Sequence, residues 1–297
     1  MSIDKQRIYY NALFGALGGL ISWLLIGLFL SFDTSRLIML FLRDGLLGAA
    51  VGVCIGGAIG AVDGLTLSRS WRRLGRGVLL GSVIGLVGGL IGLVIGEVIF
   101  KFAGGGVWPR AIGWALFGLL VGTGEGRAQR SAAKTSYGAV GGLLGGLIGG
   151  STYERLSTLL RTLTHDRELS LTVGSAVGLI ILGACIGSLI GLVEDILRTA
   201  WLKVVVGRLE GRTFTLTRKE TRLGKADDCD VVLPGDDDIH PHHAVIEQTQ
   251  KTFVLRPLAD PVLVNRQPMG QSHLLKHGDR IQLGKTQVIF NLEGGEQ

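Results

Sequence analysis

The chain has 297 residues, 48 of them Gly, with 18% charged residues, a formal charge of +6 and a mean hydropathy of +0.42. Gly at roughly twice its average usage, with charge well under the ~25% of soluble domains, excludes an ordinary soluble globule; six Pro and no three-residue Gly period exclude collagen. The basic excess borders apolar runs and has no interleaved aromatics, which points to acidic lipid and excludes a nucleic-acid surface.

Six apolar runs follow in chain order. The first, Tyr9 to Leu30, is too long for a signal-peptide core and no small-residue cleavage site follows it, so it reads as a retained span. The others run from about Gly45 to Val62, Val78 to Phe100, Ala111 to Gly124, Tyr137 to Gly150 and Leu171 to Val193. A helical span needs about 20 apolar residues, so the fourth and fifth are short. The mixed-charge stretch from Ser151 to Ser170 reads as an exposed interfacial helix.

The runs repeat. Gly15-Ala-Leu-Gly-Gly-Leu20, Gly85-Leu-Val-Gly-Gly-Leu90 and Gly138-Ala-Val-Gly-Gly-Leu143 mark the odd-numbered spans. The even ones end in Gly60-Ala-Val-Asp63, Gly122-Thr-Gly-Glu125 and Gly191-Leu-Val-Glu194. The pattern is one two-helix hairpin used three times. Gly also recurs every fourth residue, as at Gly52, Gly56 and Gly60, or Gly138, Gly142 and Gly146. Such residues share a helix face and form a groove for a neighbouring backbone. These faces carry Gly where a pore would carry polar side chains, which favours a packed bundle. Asp63, Glu125 and Glu194 are read as water-facing acids balanced by nearby Arg, and Glu97 as snorkelling from a span end. An even span count puts both termini on one side. That side's loops, with Arg69, Arg72, Arg73, Arg76, Arg127, Arg130 and Lys134, are the more basic, so the termini are expected in the cytoplasm.

Beyond about Trp201 the pattern changes to short β-branched runs between turn residues: Val204–Val206, Thr213–Leu216, Val231–Leu233, Ala244–Ile246, Thr252–Leu255, Val262–Val264, Arg280–Leu283 and Gln287–Phe290. Their even spacing predicts an all-β sandwich. Cys54, Cys185 and Cys229 are scattered with no paired spacing and read as small apolar fillers, giving neither a disulfide framework nor a zinc site. His240, His242 and His243 flank Pro241 without a Cys at ligand spacing, so no metal and no cofactor is expected. The six Asp between Asp227 and Asp238 lack the EF-hand spacing and read as solvated loops; acids beside an anion site would oppose it unless they point away. No catalytic motif appears, so the chain is not expected to be an enzyme.

Four motifs in order, RLGKADDCDVVLP, IHPHHAVI, VLVNRQPM and LLKHGDRIQLG, make residues 204–292 resemble the forkhead-associated (FHA) family. The resemblance implies a sandwich whose end loops hold a phosphothreonine peptide. It implies that Gly224, His243, Gly278 and Asp279 are structural. It places Lys225 where the family has the phosphate Arg, His240 in place of a Ser, and Asn265 at the Asn that ties down the peptide. Arg222 and Arg266 add positive charge, although Arg266 stands where a Gly would follow the Asn. Lys is a point charge without the Arg fork, so the family's geometry is weakened while its positive character stays.

The sequence therefore predicts an N-terminal all-α membrane helical bundle of about six spans in three hairpin repeats (residues 1–200). A C-terminal all-β FHA-like sandwich follows (residues 201–297). The expected role is a membrane-anchored phosphopeptide-recognition or scaffold protein of a bacterial plasma membrane; the alternative is a small channel or transporter with a regulatory FHA-like domain. Three partners are compatible with it: the lipid bilayer, a phosphothreonine-containing or acidic protein, and further copies of the chain.

Overall fold

In the computed structural model the chain divides into two units, Met1–Ile196 and Leu197–Gln297. Residues 5–29, 37–62, 64–65, 71–102, 107–128, 131–163, 167–249 and 252–293 are described. Asp63, Arg69 and His165 lie outside them, as does the Glu125 side chain.

The first unit holds six helices: α1 (Lys5–Phe29), α2 (Leu37–Val62), α3 (Trp71–Phe102), α4 (Val107–Ala128), α5 (Ala132–Leu163) and α6 (Arg167–Leu197). Each is longer than its apolar run. Ser131 shows how one begins: its Oγ accepts the Lys134 N–H at 3.2 Å and caps α5. The helix then runs through to Leu163, so residues 151–163 continue α5 and do not form a separate interfacial helix. Nothing in Tyr153-Glu-Arg-Leu-Ser-Thr-Leu-Leu breaks a helix.

The glycine faces set the packing, and the repeat is visible in it. A Cβ placed on Gly15 would collide with the Gly183 carbonyl of α6, on Gly85 with that of Gly52 in α2, and on Gly138 with that of Gly122 in α4. These three glycines are the first residues of the three sequence repeats, and each meets an even-numbered helix across the same kind of seam. The next seam also repeats: Gly18 abuts α2 at Cys54 and Ile55, Gly88 abuts α4 at Leu120, and Gly141 abuts α6 at Leu189 and Ile190. Every odd helix is thus wedged between two even ones.

Side chains follow this plan. Val51, Ile55 and Ile59 of α2, Trp114, Phe117 and Val121 of α4, and Leu179, Leu182, Ile186 and Ile190 of α6 form one buried apolar cluster. The odd helices turn apolar residues outward instead, as in Leu17 and Ile21 of α1, Leu79, Val83 and Leu90 of α3, and Val140, Leu144 and Ile148 of α5. Exposed apolar rows at helical spacing suit lipid.

Among the described residues, four helices are long and apolar enough to cross a membrane: α1, α2, α3 and α6. The expectation was about six. The shortfall falls on α4 and α5, and its cause is composition: seven of the fourteen residues from Tyr137 to Gly150 are Gly, which lowers hydropathy without adding polarity. Most described side chains of α4 are covered by neighbours, so α4 needs little apolarity of its own.

Glu194 corrects another expectation. It does not face water: its side chain is 2% exposed, with Arg7 of α1 at 2.9 Å and Lys134 of α5 at 3.6 Å. Burial of a carboxylate is tolerated when cations compensate it, and these two tie three helices together.

The second unit is a sandwich of two sheets. Its strands are β1 (Ala200–Val206), β2 (Thr213–Thr215), β3 (Glu220–Gly224), β4 (Val231–Val232), β5 (Ala244–Thr249), β6 (Thr252–Pro257), β7 (Val262–Val264), β8 (Gln267–Pro268), β9 (His273–Leu274), β10 (Arg280–Leu283) and β11 (Thr286–Leu292). One sheet runs β2-β1-β11-β10-β7-β8, the other β4-β3-β5-β6-β9. Alternate residues point inward, so Leu202, Val204, Leu223, Ile246, Leu255, Ile281 and Phe290 close the core. The Phe253 and Phe290 rings meet across it at 5.3 Å. β3, β8 and β9 go beyond the predicted strands; β3 exposes Glu220 and Arg222 at alternate positions.

The packing gives the first prediction. Gly85→Leu and Gly142→Leu each place a side chain where a neighbouring backbone sits, and should lower bundle stability by about 1–3 kcal/mol or more. Gly75→Ala meets open space and should raise it by roughly 0.5–1 kcal/mol. Thermal unfolding in detergent reads all three, and unchanged midpoints for both Leu variants would mean that these faces meet lipid.

Candidate functional site

One glycine sets up the candidate site. A Cβ on Gly224, the last residue of β3, would strike the carbonyl of Pro241, so only Gly lets these backbones approach. The contact continues as a ladder: Lys225 N–H donates to His240 O at 3.1 Å and Ala226 N–H to Pro241 O at 3.0 Å. The β3–β4 and β4–β5 loops are thereby fastened side by side, with Lys225 and His240 exposed on them.

His243 anchors the second loop. It is fully buried, and its Nδ1 accepts the His240 N–H at 3.0 Å. That bond assigns the ring proton to Nε2, which lies 3.2 Å from the Pro261 carbonyl and donates to it. The His243 carbonyl in turn accepts Leu258 and Ala259 N–H groups. One imidazole therefore joins the β4–β5 loop to the β6–β7 loop.

The acids of these loops do specific work. Asp236 is buried and its carboxylate accepts from Lys285 N–H at 2.7 Å, Thr286 N–H at 3.0 Å, Thr286 Oγ1 at 3.1 Å and Asp238 N–H at 3.1 Å. Burial pulls its pKa up, but these bonds outweigh that and hold it below the ordinary 3.8. Asp230 pairs with Arg218 and accepts the Arg222 N–H. Asp238 pairs with Lys285 at 3.2 Å. Asp237 does not point away from the site. Its carboxylate lies 2.7 Å from Lys225 Nζ, and this bond holds its pKa low.

The structure does not bring all the expected residues together. Asn265 begins the β7–β8 turn in a left-handed conformation (φ 52°), as does Arg266 (φ 68°). The Asn265 amide donates to Asp279 Oδ1 at 2.8 Å and its Oδ1 accepts the Arg280 N–H at 3.0 Å. Pro261, which touches the His243 ring, stands at the opposite end of β7. Three strand residues, Val262–Val264, lie between the two, about 13 Å of extended chain. Asn265 is thereby engaged as a brace of its own turn, and Arg266 follows it in the same turn. Arg222 stands on the exposed face of β3, two residues before Gly224. Asp279 is the hub of the turn end: burial raises its pKa, but bonds from Lys276 N–H, Asn265 and His273 bring it below 3.8. Gly278 beside it adopts φ 86°, which explains a Gly there.

Sequence reasoning missed a second cluster. Cys229 Sγ lies 3.4 Å from His242 Nδ1, and Asp228 Oδ2 lies 3.6 Å from His242 Nε2. Cys229 and His242 are thirteen apart in sequence and meet where the Gly224 ladder aligns the two loops.

Residues 203–294 match the family model described as inner membrane component of T3SS, cytoplasmic domain. No curated protein matches the chain. Solved structures similar to the C-terminal unit include one described as a structural and functional analysis of phosphothreonine-dependent FHA domain interactions (27% identity, 32% of this chain and 97% of that one, TM-score 0.30). Others are the FHA domain of a Chlamydia trachomatis protein (22%, 31% and 96%, 0.30) and that of an Arabidopsis thaliana hypothetical protein (24%, 34% and 90%, 0.31). The resemblance carried by the four motifs is borne out: the C-terminal unit is similar to FHA domains.

The braces predict a pH dependence. Asp236 and Asp279 have folded pKa values below the unfolded one, so their stabilisation is complete above about pH 4 and is lost as pH falls through the lower folded values. Acid unfolding of the sandwich should begin below pH 3.8, and Asp236→Asn should cost about 1.5–3 kcal/mol at pH 7. Denaturant unfolding at pH 7 and pH 3 measures both.

Proposed function

We propose that the chain is a membrane-anchored recognition protein whose FHA-like domain binds an anionic segment, with phosphothreonine as the favoured anion, and recruits its bearer to the inner membrane face. One observation carries the reading: Lys225, presented on a loop fastened to that of His240, already grips an oxyanion, the Asp237 carboxylate, at 2.7 Å. An incoming phosphate is a stronger acceptor at the same ammonium. The match of residues 203–294 to the cytoplasmic domain of an inner-membrane component supports the location.

The anchor reading of the bundle rests on its centre. Ile55, Phe117, Leu182 and Ile186 are fully buried where a channel would need polar, open walls. What weighs against a transporter is the same apolar filling, with Glu194 neutralised by Arg7 and Lys134 at one end.

The test is a phosphothreonine peptide array against the full chain in detergent. Lys225→Ala should weaken the best ligand roughly tenfold, the low end for a charged hydrogen bond because the ammonium is half-exposed and must leave Asp237. Lys225→Arg should hold or improve affinity by restoring the fork. Asp237→Asn removes the internal competitor and should strengthen binding roughly two- to fivefold. Equal binding of phosphorylated and unphosphorylated peptides, with no response to Lys225→Ala, would retire the phosphate chemistry and leave docking through another surface.

Topology has its own test. An even number of spans would put both ends of the bundle on one side, and its charge favours the cytoplasm for the basic start of α3. Arg72→Cys should resist an impermeant thiol reagent in intact cells and react after permeabilisation.

A further inference from the structure

We propose that Asp228, Cys229 and His242 form a binding site for a thiolate-preferring divalent cation of the zinc type. The cluster lies beside Lys225 and His240 but shares no residue with them, so the inference does not depend on what those two bind.

The donors converge from two loops. Cys229 and Asp228 come from the β3–β4 loop and His242 from the β4–β5 loop. One donor atom from each lies within 4.8 Å of the other two. The tightest pair, Sγ to Nδ1, is 3.4 Å apart. Zinc bonds of about 2.3 Å to sulfur and about 2.0 Å to nitrogen, at a tetrahedral angle, put the two donors about 3.5 Å apart. The protein therefore holds its thiol and imidazole at the separation one ion requires. Asp228 Oδ2 lies 3.6 Å from the far ring nitrogen, on a short side chain that is 63% exposed. It reaches the same ion by rotating about its own bonds.

Access and protection are divided as a binding site needs. The Cys229 side chain is fully buried, which shields the sulfur, while the His242 and Asp228 side chains are 43% and 63% exposed and leave an entry from solvent. Three protein donors leave a fourth position for water or another ligand. A thiolate, an imidazole and a carboxylate together select zinc-like ions over Mg²⁺ or Ca²⁺, which take oxygen ligands. Binding requires the Cys229 Sγ–H proton, now directed at the Pro241 carbonyl at 3.1 Å, to leave for solvent, so affinity should rise with pH. An ion here clips together the two loops that the Gly224 ladder already aligns.

The probe is Co²⁺, whose thiolate complexes absorb by sulfur-to-metal charge transfer. The full chain in detergent, with Cys54→Ala and Cys185→Ala so that Cys229 is the remaining thiol, is titrated with Co²⁺ and then Zn²⁺. The expected result is a charge-transfer band saturating at one ion per chain, abolished by Zn²⁺ and untouched by excess Mg²⁺. His242→Asn, at a half-exposed position that leaves the fold intact, should weaken Co²⁺ binding roughly tenfold or more, and Asp228→Asn less. Zn²⁺ should raise the thermal midpoint of the parent protein but not of His242→Asn. Absence of the band, or a band that His242→Asn leaves unchanged, overturns the proposal.

Discussion

Both units rest on the same constraint: backbone meeting backbone where no Cβ fits. In the bundle, the carbonyls of Gly52, Gly122 and Gly183 occupy the space that a side chain at Gly85, Gly138 and Gly15 would need. In the sandwich, the Pro241 carbonyl occupies that of Gly224. The gain is dispersion contact over a whole helix face in one case and a two-rung ladder between loops in the other. Lipid gives helices no hydrophobic reason to associate, so the bundle must obtain its cohesion from such contact. The loops have no regular partner of their own, so the ladder supplies their order.

From the glycine seams the rest of the bundle follows. An odd helix with grooves on two faces seats two neighbours, and three such helices close a ring around three inner ones. The inner helices then meet at their large residues, and Ile55, Phe117, Leu182 and Ile186 fill the centre. Most of α4 is enclosed in this way, and it is less apolar than α2 and α6, the other two inner helices.

This is also why parts of the molecule were legible in the sequence and others were not. A four-residue Gly period and a repeated hairpin are local patterns, and they foretold the seams. The FHA-like motifs carry their spacing in the chain, and they foretold the sandwich. Glu194 looked solvent-facing because its cations, Arg7 and Lys134, lie on other helices far away in sequence. Asn265 looked like a ligand because a turn Asn and a binding Asn share a letter; only the Asp279 and Arg280 bonds distinguish them. Cys229 looked like a filler because His242 reaches it across a loop closure that no spacing rule encodes. The Asp-rich stretch looked merely solvated, yet Asp236 is the buried brace of the β10–β11 turn.

On the proposed reading, a Lys at 225 fits a tethered domain. A Lys that lacks the guanidinium fork, and that is already engaged by Asp237, binds a phosphate less tightly than an unencumbered Arg would. A soluble receptor would lose occupancy by this. On the proposed reading the receptor is fixed in a membrane, and any partner held near that membrane meets it at a raised effective concentration. Weak contact then suffices for occupancy, and the competing carboxylate speeds release by recapturing the ammonium as the ligand leaves. On that reading the bundle would supply proximity and the loops would favour exchange over grip.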